Sequence, residues 1–437
     1  MFALRSLFSP PEPIPFEYRA NFRHLFLDIG WFGILSGSSI SFLSVYATRL
    51  GASAFQIGLL GAVPAVTSLA LAIPASQFLQ RAPIDKAVFW TSVFYRLGYL
   101  LWIPLPWLMN NDQQIWSLIG LTLLMGIPGT ALAVGFNALF AEAVPSNWRA
   151  HVAGIRNVML SITFVLTSLA SGWLLDHVTF PAGYQIVFGL GFIGAIMSSY
   201  HLYHVHSVLT PGAPRPSSRI GDRAGPGFIR TLGDSHRPNI GLRLLVRNNW
   251  KKLLRTDILR SSFSRILLVL LVFHLGQYLA LPIFPIYFVR GLNLTDQQIG
   301  IGQAVFYSTV LIGSTQLARL SQKFSHKTIF GVSAGLMGIY PLLLAISHSF
   351  LPYIGISLWG GTVWAMIGGA MPNYLLEKVP ADDRPAYLAW YNIILNAAIL
   401  TGSLLGPLIA DLSGLAIALI IFAALRVFAG LAVLKWG

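Results

Sequence analysis

The chain has 437 residues and not one cysteine. That excludes a disulfide framework, a thiolate nucleophile and thiolate metal ligation. Charge is almost as scarce: Asp, Glu, Lys and Arg together make 10% of the residues, where soluble domains carry about 25%. Acids are the rarer sign, 15 against 29 Lys and Arg. No phosphate-cradling ATP loop is present, so nucleotide-driven chemistry has no motif to stand on. The first residues, 1–23, lack the apolar stretch of a secretory signal, and the first long apolar run lacks a small-residue cleavage pattern, so it reads as a retained span. What fills the chain instead is apolar: 55% hydrophobic residues and a mean hydropathy of +0.67. A soluble core cannot take up that much apolar surface, whereas a bilayer can.

The net charge of +14 does not point to nucleic acid, because of where it lies. Between Arg215 and Arg265 there are 12 Arg or Lys and three Asp. The remaining basic residues sit in short loops on one side of the apolar runs. Such an asymmetry is the positive-inside pattern of a membrane protein. Runs long enough to cross the hydrocarbon core, roughly 20 residues each, fall near 25–47, 56–79, 87–108, 115–141, 152–175 and 183–205. Six more fall near 265–288, 298–320, 328–349, 351–376, 386–410 and 413–434. An even number of spans and the Lys/Arg bias both predict cytoplasmic termini, in a plasma or inner membrane.

The expected organisation is therefore a cytoplasmic segment 1–24, a six-helix bundle 25–206, a basic linker 207–264 and a second six-helix bundle 265–437. Residues 211–226 of the linker are rich in Pro, Gly, Ser and Arg, as a flexible tether would be. Over 240–259, Leu242, Leu245, Trp250, Leu253, Leu254 and Ile258 recur at helical spacing among Arg and Lys. That pattern suits a helix lying on anionic lipid, or equally a solvated linker helix.

The two halves repeat one another in the same order. Glu142-Ala-Val144-Pro145, Arg149, Asn157 and Asp176 recur 235 residues later as Glu377-Lys-Val379-Pro380, Arg384, Asn392 and Asp411. Gln56-Ile57-Gly58 with Gln80-Arg81 recurs 242 residues later as Gln298-Ile299-Gly300 with Gln322-Lys323. A parallel repeat inside a membrane protein points to a two-halved carrier with its substrate path between the halves.

Six plus six spans, the parallel repeat, the long basic central loop and cytoplasmic termini together resemble the major facilitator superfamily, over nearly the whole chain. The family's loop signature between spans 2 and 3 is degenerate here. Ser76, Gln80, Arg81 and Pro83 stand where Gly, Asp, Arg and Gly are usual, and Ala318, Gln322 and Lys323 form the second copy. The basic residue survives in both halves and the acid in neither. The drug-antiporter Gly-x-x-x-Gly-Pro of span 5 is absent, and its partial likeness, Gly402 to Gly406-Pro407, lies in span 11. The resemblance implies an all-α integral membrane fold of twelve transmembrane helices in two bundles. It further implies secondary transport by alternating access, with a cavity between spans 1, 4, 7 and 10. It implies neither a direction nor a substrate.

Ionisable groups at membrane depth are costly and therefore candidate functional groups. Asp28 is such a group in span 1, either as a coupling-proton carrier or as one half of a structural ion pair. Arg96 lies deep in span 3, placed to meet an acid or an anionic substrate. His274 and Gln277 share a depth in span 7. Asn137, Tyr278 and Trp364 are further candidates for contact with a solute. Asn157 and Asn392, being repeat-related, read as helix-joining residues, and Asn396 and Gln303 as either joiners or ligand contacts. For gating, Glu142 with Arg149 and Glu377 with Arg384 form repeated pairs at the cytoplasmic rim, with Arg81 and Lys323 nearby; the alternative is a set of surface pairs worth little.

Three patterns are set aside. Gly189-Leu-Gly191-Phe-Ile-Gly194 has dinucleotide spacing but sits inside an apolar span with no strand before it. His201, His204 and His206 have loose metal-ligand spacing with no neighbouring carboxylate in sequence. Gly30, Gly33 and Gly37 read as a face for close helix packing. The expectation is a monomer moving a small solute, with protons as a possible partner and no cofactor, metal or enzymatic activity. The rivals are a flippase-like carrier of amphipathic molecules and, further off, a membrane sensor or enzyme.

Overall fold

A computed structural model describes residues 16–208, 255–380 and 383–437. Most of the lipid-binding stretch expected at 240–259 lies outside the described residues. Twelve helical spans account for the rest. The first half contains α1 (Phe16–Arg49), α2 (Ala54–Arg81), α3 (Ile84–Trp102), α4 (Asn111–Ala143), α5 (Arg149–His177) and α6 (Ala182–Tyr203). The second contains α7 (Phe263–Gly291), α8 (Asp296–Ser314, continued by Leu317–Lys323), α9 (His326–Ala345), α10 (Phe350–Lys378), α11 (Arg384–Ser413) and α12 (Leu415–Trp436).

Ten of these are long and apolar enough to cross a membrane by composition alone. The two that fall short, α3 and α8, carry the polar residues of the set: Asp85, Lys86 and Arg96 in one, Asp296, Gln297, Gln298 and Gln303 in the other. The largest departure from the expected boundaries is at the start. The helix of α1 proper runs from Arg19, so the segment expected to precede the first span is already partly helical. Within α1 the turn Ser36–Ile40 widens to i→i+5 pitch, and α7 is interrupted at Leu281-Pro282. Both irregularities border the central cavity described below.

Helix starts are written in the sequence. Ser53 accepts the backbone N–H of Gln56 while the Gln56 side chain accepts the N–H of Ser53, and Thr295 with Gln298 repeats the arrangement 242 residues later. Such boxes satisfy two otherwise orphaned backbone donors. The repeated Gln is therefore a helix-capping residue in both halves.

In each half the helices pack as an antiparallel bundle. α1 lies on α5 and α6, α3 bridges α4 and α6, and α2 lies on α4; in the second half α7 lies on α11 and α12, α9 bridges α10 and α12, and α8 lies on α10. The halves meet at two crossings, α2 with α11 and α5 with α8. These crossings exchange under the repeat, and so do the residues that make them. A Cβ on Gly58 would collide with the Ser403 carbonyl of α11, and one on Gly300 would stand 2.7 Å from the Ser168 carbonyl of α5. Gly58 and Gly300 are 242 apart, and Ser168 and Ser403 are 235 apart. In lipid, where burial of apolar surface does not itself drive helix association, such close approaches carry the packing. The chain begins and ends its described course at one end of the bundle, here the terminal end; the opposite end is the far end.

Candidate functional site

Between the halves lies a cavity of about 640 Å³, lined by residues of both. Its most concentrated chemistry is a buried charge cluster in the first half. Asp28 enters from α1, and Arg156, seven residues into α5, places both terminal nitrogens 3.1 Å from Asp28 Oδ2. Arg156 also donates to the Leu25 carbonyl and stands 4.9 Å over the Phe136 ring. Ser198 of α6 donates to Asp28 Oδ1, and Arg96 of α3 approaches the same oxygen at 3.8 Å. Arg96 donates to Ser199 Oγ at 2.9 Å, and Ser92 donates to that oxygen at 3.0 Å. The three charged side chains are 4%, 5% and 9% exposed for Asp28, Arg96 and Arg156. Four helices thus converge on one carboxylate.

The second half answers with a neutral pair at the matching helix crossing. Tyr391 stands 235 residues after Arg156, and its hydroxyl lies 3.2 Å from His274 Nε2 of α7. His274 is therefore held by a hydrogen bond, like a satisfied core histidine. Gln277 lies on the same helix one turn nearer the far end. Its carbonyl, with those of Gly276 and Met337, accepts from Arg426 of α12. Arg426 is 2% exposed and also stands 5.6 Å over the Phe284 ring.

Asn137, Tyr278 and Trp364 line the cavity, together with Asn157, Asn396 and Gln303. Asn137 donates back to Ala133 of its own helix, and Asn392 back to Leu388. Neither of these bonds joins helices; it is Gln303 that does so, accepting from Ser168 across the α5–α8 crossing at 3.3 Å. Asn157 faces the cavity with its amide nitrogen meeting no acceptor.

The proposed gating residues stand at the terminal rim, outside the cavity lining. Arg149 donates to the Ala141 carbonyl in the last turn of α4 and to the Val144 carbonyl that follows it. Glu377 lies 3.8 Å from His326, and Arg81 and Lys323 are exposed. Glu142 and Arg384 each have a partner. In the second half's rim, Arg255 pairs with Asp257 at 2.6 Å and also with Asp383; its hydrogen bond holds the exposed Asp257 carboxyl below the ordinary carboxylate range. His206 does find a carboxylate, Asp85, at 3.5 Å, which its sequence surroundings did not show. His24 lies against His201 and stacks on His204. Among the described residues no group of three or more His, Cys, Asp or Glu could hold a metal ion.

At the far end the halves are tied by a reciprocal pair of arginines. Arg49, at the end of α1, donates to the Leu294 carbonyl at 2.6 Å and stands 3.1 Å from Asp296 Oδ1. Arg290, at the end of α7, donates to the Ala52 carbonyl at 2.6 Å. Donors 241 apart thus reach acceptors 242 apart, each across to the other half. The N–H of Gln297 adds a bond to Asp176 Oδ1 at 3.2 Å, a carboxylate set at the start of α8 where the helix dipole favours negative charge. The cavity runs between the ends: it extends to Phe140, Ala153 and Leu202, within about a turn of the terminal ends of α4, α5 and α6, and to Val45, Ile57 and Phe288, within about a turn of the far ends of α1, α2 and α7.

Sequence reasoning passed over Arg156, Arg426 and the cross-half role of Arg49, Arg290 and Asp296. The rule that singled out Arg96 applies equally to Arg426, mid-span in α12. Arg156 lies near a span end, where an Arg ordinarily snorkels to water.

Among curated proteins, no sequence matches the chain. Among solved structures, a mutant of the nucleoside transporter NupG superposes with a TM-score of 0.67 at 11% identity, over 95% of this chain and 99% of that one. The xylose transporter XylE from E. coli, in a partially occluded inward-open conformation, gives 0.64 at 14% identity, over 95% and 96%. A bacterial homologue of the iron transporter ferroportin, outward-facing, gives 0.58 at 12%, over 95% and 98%. These likenesses establish a shared fold. The model described as Major Facilitator Superfamily matches residues 29–273 and again 266–437, and with the two-bundle fold around a central cavity this places the chain in that family of membrane transporters.

Proposed function

We propose that the protein is a secondary transporter that carries a small solute through the central cavity by alternating access, driven by an ion gradient or by the solute's own. The observation that carries this is a cavity lined by residues of both halves, across whose far end reciprocal bonds from Arg49 and Arg290 tie one half to the other. With the Lys/Arg-rich loops cytoplasmic, the far end faces outward, and in the described state its ties hold that side together. The two far-end arginines then form the outer gate, and Arg81, Glu142, Arg149, Lys323, Glu377 and Arg384 the rim that closes inside when the halves rock. A rigid-body swing about the α2–α11 and α5–α8 crossings is the motion that a parallel repeat permits.

The close approaches at Gly58 and Gly300 favour a solute over a lipid as cargo. They pack both seams between the halves near the far end, where a lipid passing sideways would need an opening. Asp28 is the group proposed to couple transport to protons, since it is the one carboxylate among the cavity-lining residues. Purified protein in proteoliposomes, assayed for counterflow of a panel of radiolabelled neutral and anionic solutes with and without an imposed proton gradient, tests both points. Accumulation of at least one solute against its gradient is the expected result, and it should lose its proton dependence in Asp28→Asn. Equilibration without any saturable component for every solute would sink the transporter reading. An unchanged proton dependence in Asp28→Asn would remove the coupling role alone.

A further inference from the structure

The cavity wall does not balance its charges. Arg96, Arg156 and Arg426 line it, against a single carboxylate, Asp28. Three guanidiniums less one carboxylate leave a surplus of two positive charges, with His274 taken as neutral in its bond to Tyr391. An uncompensated charge at this depth is costly, and structures keep one there when it has work to do with a partner. Burial of Arg426 is relieved by three carbonyls and an aromatic face, none of which carries a negative charge.

The unmet hydrogen-bonding capacity points the same way. Arg96 Nε, Asn157 Nδ2 and Gln277 Nε2 are all buried N–H donors of cavity-lining residues, and none has an acceptor. Arg96 is also the weaker of the two claimants on Asp28, at 3.8 Å against 3.1 Å for Arg156. What the wall lacks is oxygen acceptors bearing negative charge. The remainder of the lining is apolar and aromatic, with Phe136, Phe164, Tyr307 and Trp364 among it.

We infer that the solute is an organic anion, drawn by the surplus of guanidinium charge in the cavity wall and resting its apolar body against the aromatic part of that wall. This rests on the transporter reading for the site's use, though not for its chemistry. A charge-assisted bond is roughly twice as strong as a neutral one, so anion and neutral isostere should separate by about tenfold or more in Kd. Asp28 keeps Arg156 occupied, which leaves Arg96 and Arg426 as the two charges of the wall that no carboxylate neutralises.

Binding is measured on the full-length protein in detergent by thermal shift and tryptophan fluorescence. The probes are benzoate, phenyl phosphate and benzenesulfonate, each beside its neutral counterpart: benzamide, phenol and benzenesulfonamide. At least one anion should bind about tenfold more tightly than its neutral partner, with the preference weakening as salt rises. Arg96→Gln and Arg426→Gln should each reduce the preference about tenfold, whereas Arg96→Lys should retain part of it. Should a Gln variant fail to fold, Asp28→Asn/Arg156→Gln removes one charge of each sign and keeps the surplus, so the preference should persist there. Equal or weaker binding of every anion relative to its counterpart overturns the inference. So does a preference that survives in folded Arg96→Gln and Arg426→Gln alike. Counterflow separates the two proposals: an anion that binds but is not carried leaves the site assignment intact and defeats the transport reading, whereas carriage of a neutral solute with no anion preference does the reverse.

Discussion

At the scale of single residues, the buried pair of Asp28 and Arg156 determines how the first half tolerates change. Removing one member of a buried ion pair leaves an uncompensated charge and typically costs 3–5 kcal/mol, while removing both is often near neutral. Arg96 complicates the arithmetic, since it also approaches Asp28. Arg156→Gln should therefore lose less than the full penalty, as Arg96 can move onto the freed carboxylate. Asp28→Asn leaves two guanidiniums unpaired and should be the more damaging single change. The double variant Asp28→Asn/Arg156→Gln should recover at least ~1 kcal/mol relative to the sum of the singles. Thermal melting of the four proteins in detergent measures this coupling; additive losses would mean the pair seen at 3.1 Å contributes nothing. Legibility at this scale was uneven for a physical reason. Asp28, Arg96 and His274 stand out because depth alone makes an ionisable residue conspicuous. That Asp28 has a partner is foreseeable, but which partner depends on how α1 meets α5, and nothing in the spacing of residues 28 and 156 carries that information. Asn157 and Asn392 show that repeat-related residues need not share surroundings: Asn157 lines the cavity, and Asn392 donates to Leu388 of its own helix.

At the scale of helices, the sequence is far more transparent. Hydropathy finds each span to within a few residues except at the start of α1 and the end of α3, because the bilayer imposes one length on every crossing. The repeat of Gln-Ile-Gly carries two further structural facts that spacing alone did not separate. Its Gln caps the helix, and its Gly lets α2 and α8 close on α11 and α5. Small residues do this in membranes because backbones must approach closely for dispersion forces to hold them. Gly58→Val and Gly300→Val should each force the crossing apart, at roughly 1–3 kcal/mol for overpacking. Gly120→Val serves as control, since a Cβ there meets nothing within 4 Å. Melting temperatures should fall in the first two variants and hold in the third; equal behaviour of all three would show that the crossings do not depend on close approach.

For the whole molecule, the question is which end is held shut, and how firmly. The far-end tie is small: two arginines on carbonyls, one ion pair with side chains 28% and 10% exposed, and one backbone bond to Asp176. Partly exposed pairs of this kind are individually weak, and that suits a gate, because a contact worth many kcal/mol could not be released by binding a solute. Loss of about 1–2 kcal/mol still changes a two-state ratio by roughly 5–30-fold. Arg49→Ala should therefore raise the outward-open fraction by about that factor, and Asp296→Ala by less, because Arg49 keeps the Leu294 carbonyl. The absence of cysteine makes this directly measurable. Ser44, on the cavity wall near the far end of α1, can be replaced by the only thiol in the chain, and a membrane-impermeant maleimide applied from outside to intact cells then reports its exposure. Labelling of Ser44→Cys should be slow alone, several-fold faster with Arg49→Ala, and slow again in Arg49→Asp/Asp296→Arg, where the exchanged charges can pair. Arg290→Ala should act like Arg49→Ala, because the repeat gives it the same reach to the opposite half. If neither arginine changes the labelling rate, the outer gate lies elsewhere and the halves are held apart or together by the helix crossings alone. A rate that rises only when reagent enters from the other side would instead reverse the orientation assigned from the basic loops.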